Sequence, residues 1–145
     1  MKIVIQRVKS AVVRINDMRH TAIKEGLLCF VGFCDTDNEN DFQWAIKKLI
    51  NLKLFHGNQS LEHINGELLI VSQFTLFASI KKGNSPSWSR AAKPEIAKKL
   101  YDDFIRICHE HTPGKIKTGV FGADMQIELV NNGPITITID TKNKQ

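Results

Sequence analysis

The chain has 145 residues, 42% hydrophobic and 24% charged, a balance that excludes a disordered tract or a membrane-embedded protein and fits one domain spanning 1–145. Twenty Lys and Arg against 15 Asp and Glu give +5 and a pI near 9.2, which permits a polyanionic partner without establishing one. Cys29, Cys34 and Cys108 form no C-x-x-C pair, and no stretch reads as a signal peptide or membrane span, so the expectation is a cytoplasmic protein without a disulfide framework or a membrane.

Ile3, Ile5 and Val8 alternate with polar residues as in a strand, and Ser10 to Ile15 reads as a second. Asn16-Asp17 supplies a turn and His20 to Ile23 a short return. Leu27 to Phe33 is a continuous apolar run of strand length. Thr36 with Glu39 three positions on has the form of a capping box. It opens a helix over Glu39 to Asn51 with Phe42, Ala45, Ile46, Leu49 and Ile50 on one face. Leu52 to Phe55 resembles a strand, Gly57 to Ser60 a loop, and Glu67 to Ser72 a buried strand. The stretch from Ile80 to Arg90 is a polar loop.

Pro94 suits the first position of a second helix, whose apolar stripe is Ile96, Leu100, Phe104 and Cys108. After Pro113-Gly114 come three short strands, Ile116 to Val120, Met125 to Val130 and Ile135 to Asp140, and then a loose tail from Thr141. The order of elements predicts an α+β domain, two helices on a largely antiparallel sheet that curls or closes into a barrel.

The histidines have no partners at metal-ligand spacing, so no metal and no cofactor is expected. There is no G-x-S-x-G elbow, phosphate-binding glycine loop or dinucleotide fingerprint. Cys29 and Cys108 lie on apolar faces and read as core residues. Three segments remain. Ser72-Gln73-Phe74-Thr75 ends an apolar strand in hydrogen-bonding side chains, which is either a plain turn or a strand-end site for a polar ligand. Asn131-Asn132-Gly133-Pro134 reads as a hairpin connection, and Phe121 to Met125 as a Gly-containing turn.

These segments, with Arg7-Val8, Gly32-Phe33, Ser89-Arg90-Ala91-Ala92 and Thr118-Gly119, resemble the D-aminoacyl-tRNA deacylase (D-tyrosyl-tRNA deacylase) family through nearly the whole chain. The most specific elements are S-Q-F-T and N-x-G-P. The resemblance implies an enzyme that hydrolyses the ester of D-aminoacyl-tRNA, and of glycyl-tRNA, for chiral proofreading. It implies a homodimer with the Ser72, Gln73, Phe74 and Thr75 strand of one protomer facing Gly133-Pro134 of the other, across a cis peptide whose carbonyls exclude L side chains. Catalysis then rests on positioning and backbone oxyanion donors, with Thr75 as a positioning, hydrogen-bonding residue and nucleophile as the less favoured option.

By the same resemblance Phe121 and Met125 hold the terminal adenosine. Lys81 and Lys82 stand where relatives carry an Arg-rich, tRNA-contacting stretch. The competing reading is a non-catalytic nucleic-acid-binding module on the same fold.

Overall fold

The computed structural model describes residues 1–145. Its elements in chain order are β1 (Lys2–Ile15), β2 (Met18–Ile23), β3 (Gly26–Gly32), α1 (Glu39–Asn51), β4 (Glu67–Ser72), α2 (Pro94–His111), β5 (Ile116–Thr118) and β6 (Met125–Asp140). A single 3-10 turn, Phe74–Phe77, follows β4. The six strands form one sheet in the order β2-β1-β3-β4-β5, with β6 along the other edge of β1.

Pairing around β1 is antiparallel, while β3–β4 and β4–β5 are parallel. β2 approaches β4 and β5, where His20 Nε2 lies 3.2 Å from the Thr118 carbonyl, so the sheet curls toward closure. No helix is long and apolar enough to cross a membrane.

The alternation of the first residues continues through one 14-residue strand where the sequence suggests two. Register shifts between Gln6 and Ser10 absorb the break in its pattern. Asn16 and Asp17, both at positive φ, make the tight turn to β2. β3 and β4 lie centrally and are buried on both faces, which accounts for their unbroken apolar runs. They approach so closely at Gly26 that a Cβ there would meet the Glu67 carbonyl oxygen at 2.0 Å.

Both helices pack on one face of the sheet through a 25-residue core. Phe33, Phe42 and Phe104 meet edge to face within it, at ring separations of 5.6–6.2 Å. A second cluster, including Val8, Val13, Leu28 and Leu69, fills the opposite face.

Four expectations need correction. The cap of α1 is Asn38, whose side chain accepts from Asn40 N at 3.0 Å while the Asp41 carboxylate accepts from Asn38 N at 3.0 Å; Thr36 lies outside the helix. Leu52 to Phe55 is no strand, because beyond one bridge from Phe55 to Gln59 it has no neighbour to pair with.

Asn131 to Pro134 is not a hairpin connection. β6 runs unbroken for 16 residues because both of its halves pair with β1. Finally, Thr141 is not loose: it is buried, its N–H reaches the Met1 carbonyl at 3.0 Å, and its hydroxyl lies 2.7 Å from the Met1 amine. Asp37 accepts from the same amine, and Lys142 Nζ reaches Asp41 at 2.6 Å.

Candidate active site

Because β3, β4 and β5 run parallel, their carboxyl ends open on the same side, and the segments that follow them surround one cavity of about 780 Å³. Gly32 and Phe33 come from the end of β3. Ser72, Gln73 and Phe74 come from the end of β4, and Phe121 to Met125 from the loop after β5. Trp88, Ser89 and the start of α2 from Lys93 to Ala97 close the remaining side.

Gln73 N donates to the Val31 carbonyl at 2.7 Å, which extends the β3–β4 pairing one step into the site. The chain then tightens into the 3-10 turn, so Thr75 is not the β-residue its type suggests. Gln73 Nε2 donates to Thr75 Oγ1 at 2.6 Å, which fixes both side chains. No backbone or side-chain group accepts from the N–H of Phe74 or of Thr75. Two adjacent donors are thereby left without an acceptor at the start of the 3-10 turn, as the first N–H groups of a helical turn are.

Phe74 is 51% exposed and meets Trp88 edge to face at 5.5 Å, so the cavity mouth has an aromatic wall. Phe121, also on the lining, packs on Tyr101 at 5.7 Å, and the Tyr101 hydroxyl donates to the Ile70 carbonyl at 3.2 Å. Burial pushes the Tyr101 hydroxyl well above its ordinary pKa, so it stays a neutral donor. Burial also raises the Cys29 and Cys108 thiols far above the usual range, which removes both as nucleophiles. The cavity lining holds no histidine and no cysteine.

The structure therefore brings Ser72, Gln73, Phe74, Phe121 and Met125 together, with Thr75 tied to them through Gln73. Lys81 and Lys82 are exposed on the loop that leads to Trp88, and neither lines the cavity. A two-way bridge between Ser79 and Ser87, 2.9 Å in both directions, pins the base of that loop. Gly133 and Pro134 are joined by a cis peptide and are absent from their own chain's cavity.

Gly133 and Pro134 lie opposite Arg7, whose Nε donates to the Asn132 carbonyl at 2.9 Å and Nη2 to the Gly133 carbonyl at 2.8 Å. Arg7 also donates to the Leu54 carbonyl and is itself buried, so it fixes this corner from behind. Sequence reasoning did not single out Trp88, which lines the cavity, or Arg7, which holds the Gly133-Pro134 corner, and it took Lys93 only as part of a basic patch with Lys98 and Lys99. An arginine inside an apolar strand and a tryptophan in a serine-rich loop were the available signals.

The family model described as D-Tyr-tRNA(Tyr) deacylase matches residues 4–140. The chain belongs to this family. It is 54% identical over 147 residues to the D-aminoacyl-tRNA deacylase of Cytophaga hutchinsonii, covering 98% of each chain. It is 49% identical over 150 residues to that of Flavobacterium psychrophilum, covering all of both. Among solved structures, the c-Myc DNA Unwinding Element Binding Protein superposes with a TM-score of 0.90 at 33% identity, covering 97% of this chain and 98% of that one. A probable eukaryotic D-amino acid tRNA deacylase shares the fold at a TM-score of 0.81 and 19% identity, covering 95% and 97%.

Proposed function

We propose that this chain hydrolyses the ester bond of D-aminoacyl-tRNA, releasing the D-amino acid and free tRNA, and that glycyl-tRNA is a second substrate. One observation carries the reading. A chain about half identical, end to end, to two D-aminoacyl-tRNA deacylases gathers its Ser72-Gln73-Phe74 segment around a large cavity beside two unused backbone N–H groups. An aminoacyl ester is already activated, so orientation and oxyanion stabilisation suffice without a nucleophilic side chain. The N–H groups of Phe74 and Thr75 take the developing oxyanion. Gln73 and Thr75 hold the ester, and water attacks.

In this reading Phe121 and Met125 grip the terminal adenosine through an aromatic face and a polarizable thioether. Lys81 and Lys82 meet tRNA phosphates outside the cavity. The working form is a homodimer in the cytoplasm, a compartment that suits three unpaired cysteines. Each Gly133-Pro134 corner serves the partner's cavity, where its carbonyls take the substrate ammonium and leave no room for an L side chain. Two features favour this: the corner is exposed away from its own cavity, and Leu129 and Val130 beside it are 41% and 51% exposed.

The test is deacylation of matched D-tyrosyl-, L-tyrosyl- and glycyl-tRNA. D-tyrosyl and glycyl esters are cleaved and the L ester survives. Equal loss of both enantiomers removes the exclusion mechanism. A monomer in sedimentation at assay concentration removes the cross-subunit corner.

A further inference from the structure

Among otherwise neutral residues, the cavity lining carries one cation, Lys93, and one anion, Asp124. Lys93 directly precedes the 18-residue α2, where the positive end of the helix dipole disfavours a lysine. Its side chain supplies no cap, and Pro94 follows at the first helical position. No carboxylate pairs with it, Asp124 of the same lining included. Glu95, in the same turn, forms no ion pair with it, whereas Lys98 pairs with Asp102 and Lys142 with Asp41. A charge that breaks the local rule with no structural gain, on the wall of a cavity, calls for a ligand of opposite sign.

We propose that Lys93 binds the phosphodiester on the 5′ side of the substrate's terminal adenosine. The inference rests on the aminoacyl-tRNA reading and adds a contact that the reading does not contain. Phe121, on the adenosine side of the cavity, packs against Tyr101 of α2. Tyr101 lies eight residues after Lys93, about 12 Å along the helix axis at 1.5 Å per residue. A nucleoside whose base rests at Phe121, with its 5′ side directed toward the start of α2, divides that span with the lysine side chain. Lys81 and Lys82 do not line the cavity, so they cannot meet this innermost phosphate in the same way.

Two esters separate the possibilities: D-tyrosyl-tRNA, which carries the phosphate, and D-tyrosyl-adenosine, which lacks it. For Lys93→Ala, kcat/KM on the tRNA ester falls roughly three- to tenfold further than on the adenosine ester, through KM, as loss of a ground-state contact requires. The slope of log KM against log salt drops by about 1. Lys93→Arg, which keeps the charge, recovers most of the loss. An equal fall on both esters, a fall carried by kcat, or an unchanged salt slope overturns the phosphate contact. Wild-type protein that cleaves neither ester instead defeats the aminoacyl-tRNA reading on which the contact depends.

Discussion

A Cβ built on Gly32 would lie 2.8 Å from the Gln73 carbonyl oxygen, and 3.3 Å from both Leu76 Cβ and Phe77 Cδ2. The first obstacle is backbone, so it cannot rotate away as a side-chain tip would. Restoring an ordinary contact, from 2.8 to 3.4 Å, moves that carbonyl by about 0.6 Å if Gly32 stays in place. Gln73 opens the turn that holds the free N–H groups of Phe74 and Thr75, so the shift passes straight to the proposed oxyanion donors.

A misplacement near 1 Å costs on the order of a hundredfold in rate, so Gly32→Ala is expected to lose on the order of tenfold in kcat on D-tyrosyl-tRNA. Overpacking a tight site costs about 1–3 kcal/mol, which for a domain of this size lowers Tm by roughly 3–12 °C. Single-turnover deacylation below the transition, alongside thermal unfolding, separates the two effects. A folded Gly32→Ala protein with wild-type single-turnover rate would show that the Gln73 backbone position does not govern the chemistry.

Gly119→Ala tests the opposite wall: its Cβ would meet Met125 Sδ at 2.6 Å, a flexible obstacle, so stability falls by less than about 1.5 kcal/mol while KM rises as Met125 is driven from its place. A large drop in Tm with unchanged KM would contradict this. With Trp44→Phe, Trp88 becomes the sole tryptophan, and its emission should change as a non-hydrolysable aminoacyl-adenosine analogue enters the cavity beside Phe74; emission that stays flat at saturating analogue argues that the ligand lies elsewhere.

For pH, burial alone would raise the Asp41 carboxyl, but hydrogen bonds from Lys142, Thr141 and Asn38 outweigh it and hold its pKa below the ordinary value. Its contribution is therefore present above the unfolded pKa, near 3.9, and lost as pH falls through the lower folded value. Lys142→Met should shift the acid unfolding limb to higher pH, and a coincident limb in both proteins would refute the assignment.

The helices and central strands were legible because burial imposes a period, as with Phe42, Ile46 and Leu49 on one face of α1. Strand boundaries were not, because they depend on pairing. Asn131 to Pro134 has turn chemistry, yet it lies within β6 because the two flanking halves share β1 as a neighbour. Thr36 has the form of a cap, and only the path of the backbone shows that Asn38 fills the role instead.

Of the cavity lining, Ser72 to Phe74 stood out as hydrogen-bonding residues ending an apolar strand, and the loop at Phe121 was singled out through motif resemblance. Trp88 and Lys93 carry no motif. They join the site through the parallel order of three strands, a long-range property that local sequence does not encode.

The walls of the cavity come from residues near 32, 73, 88–97 and 121–127, so no contiguous stretch of chain holds half of it. Until Met125 and Ile127 have joined the sheet one wall of the chamber is missing, so on the proposed function an emerging chain carries S-Q-F-T without a complete chamber to hold a substrate against it. Such a site switches on with completion of the fold and should be lost as a unit on unfolding, without a partly active intermediate.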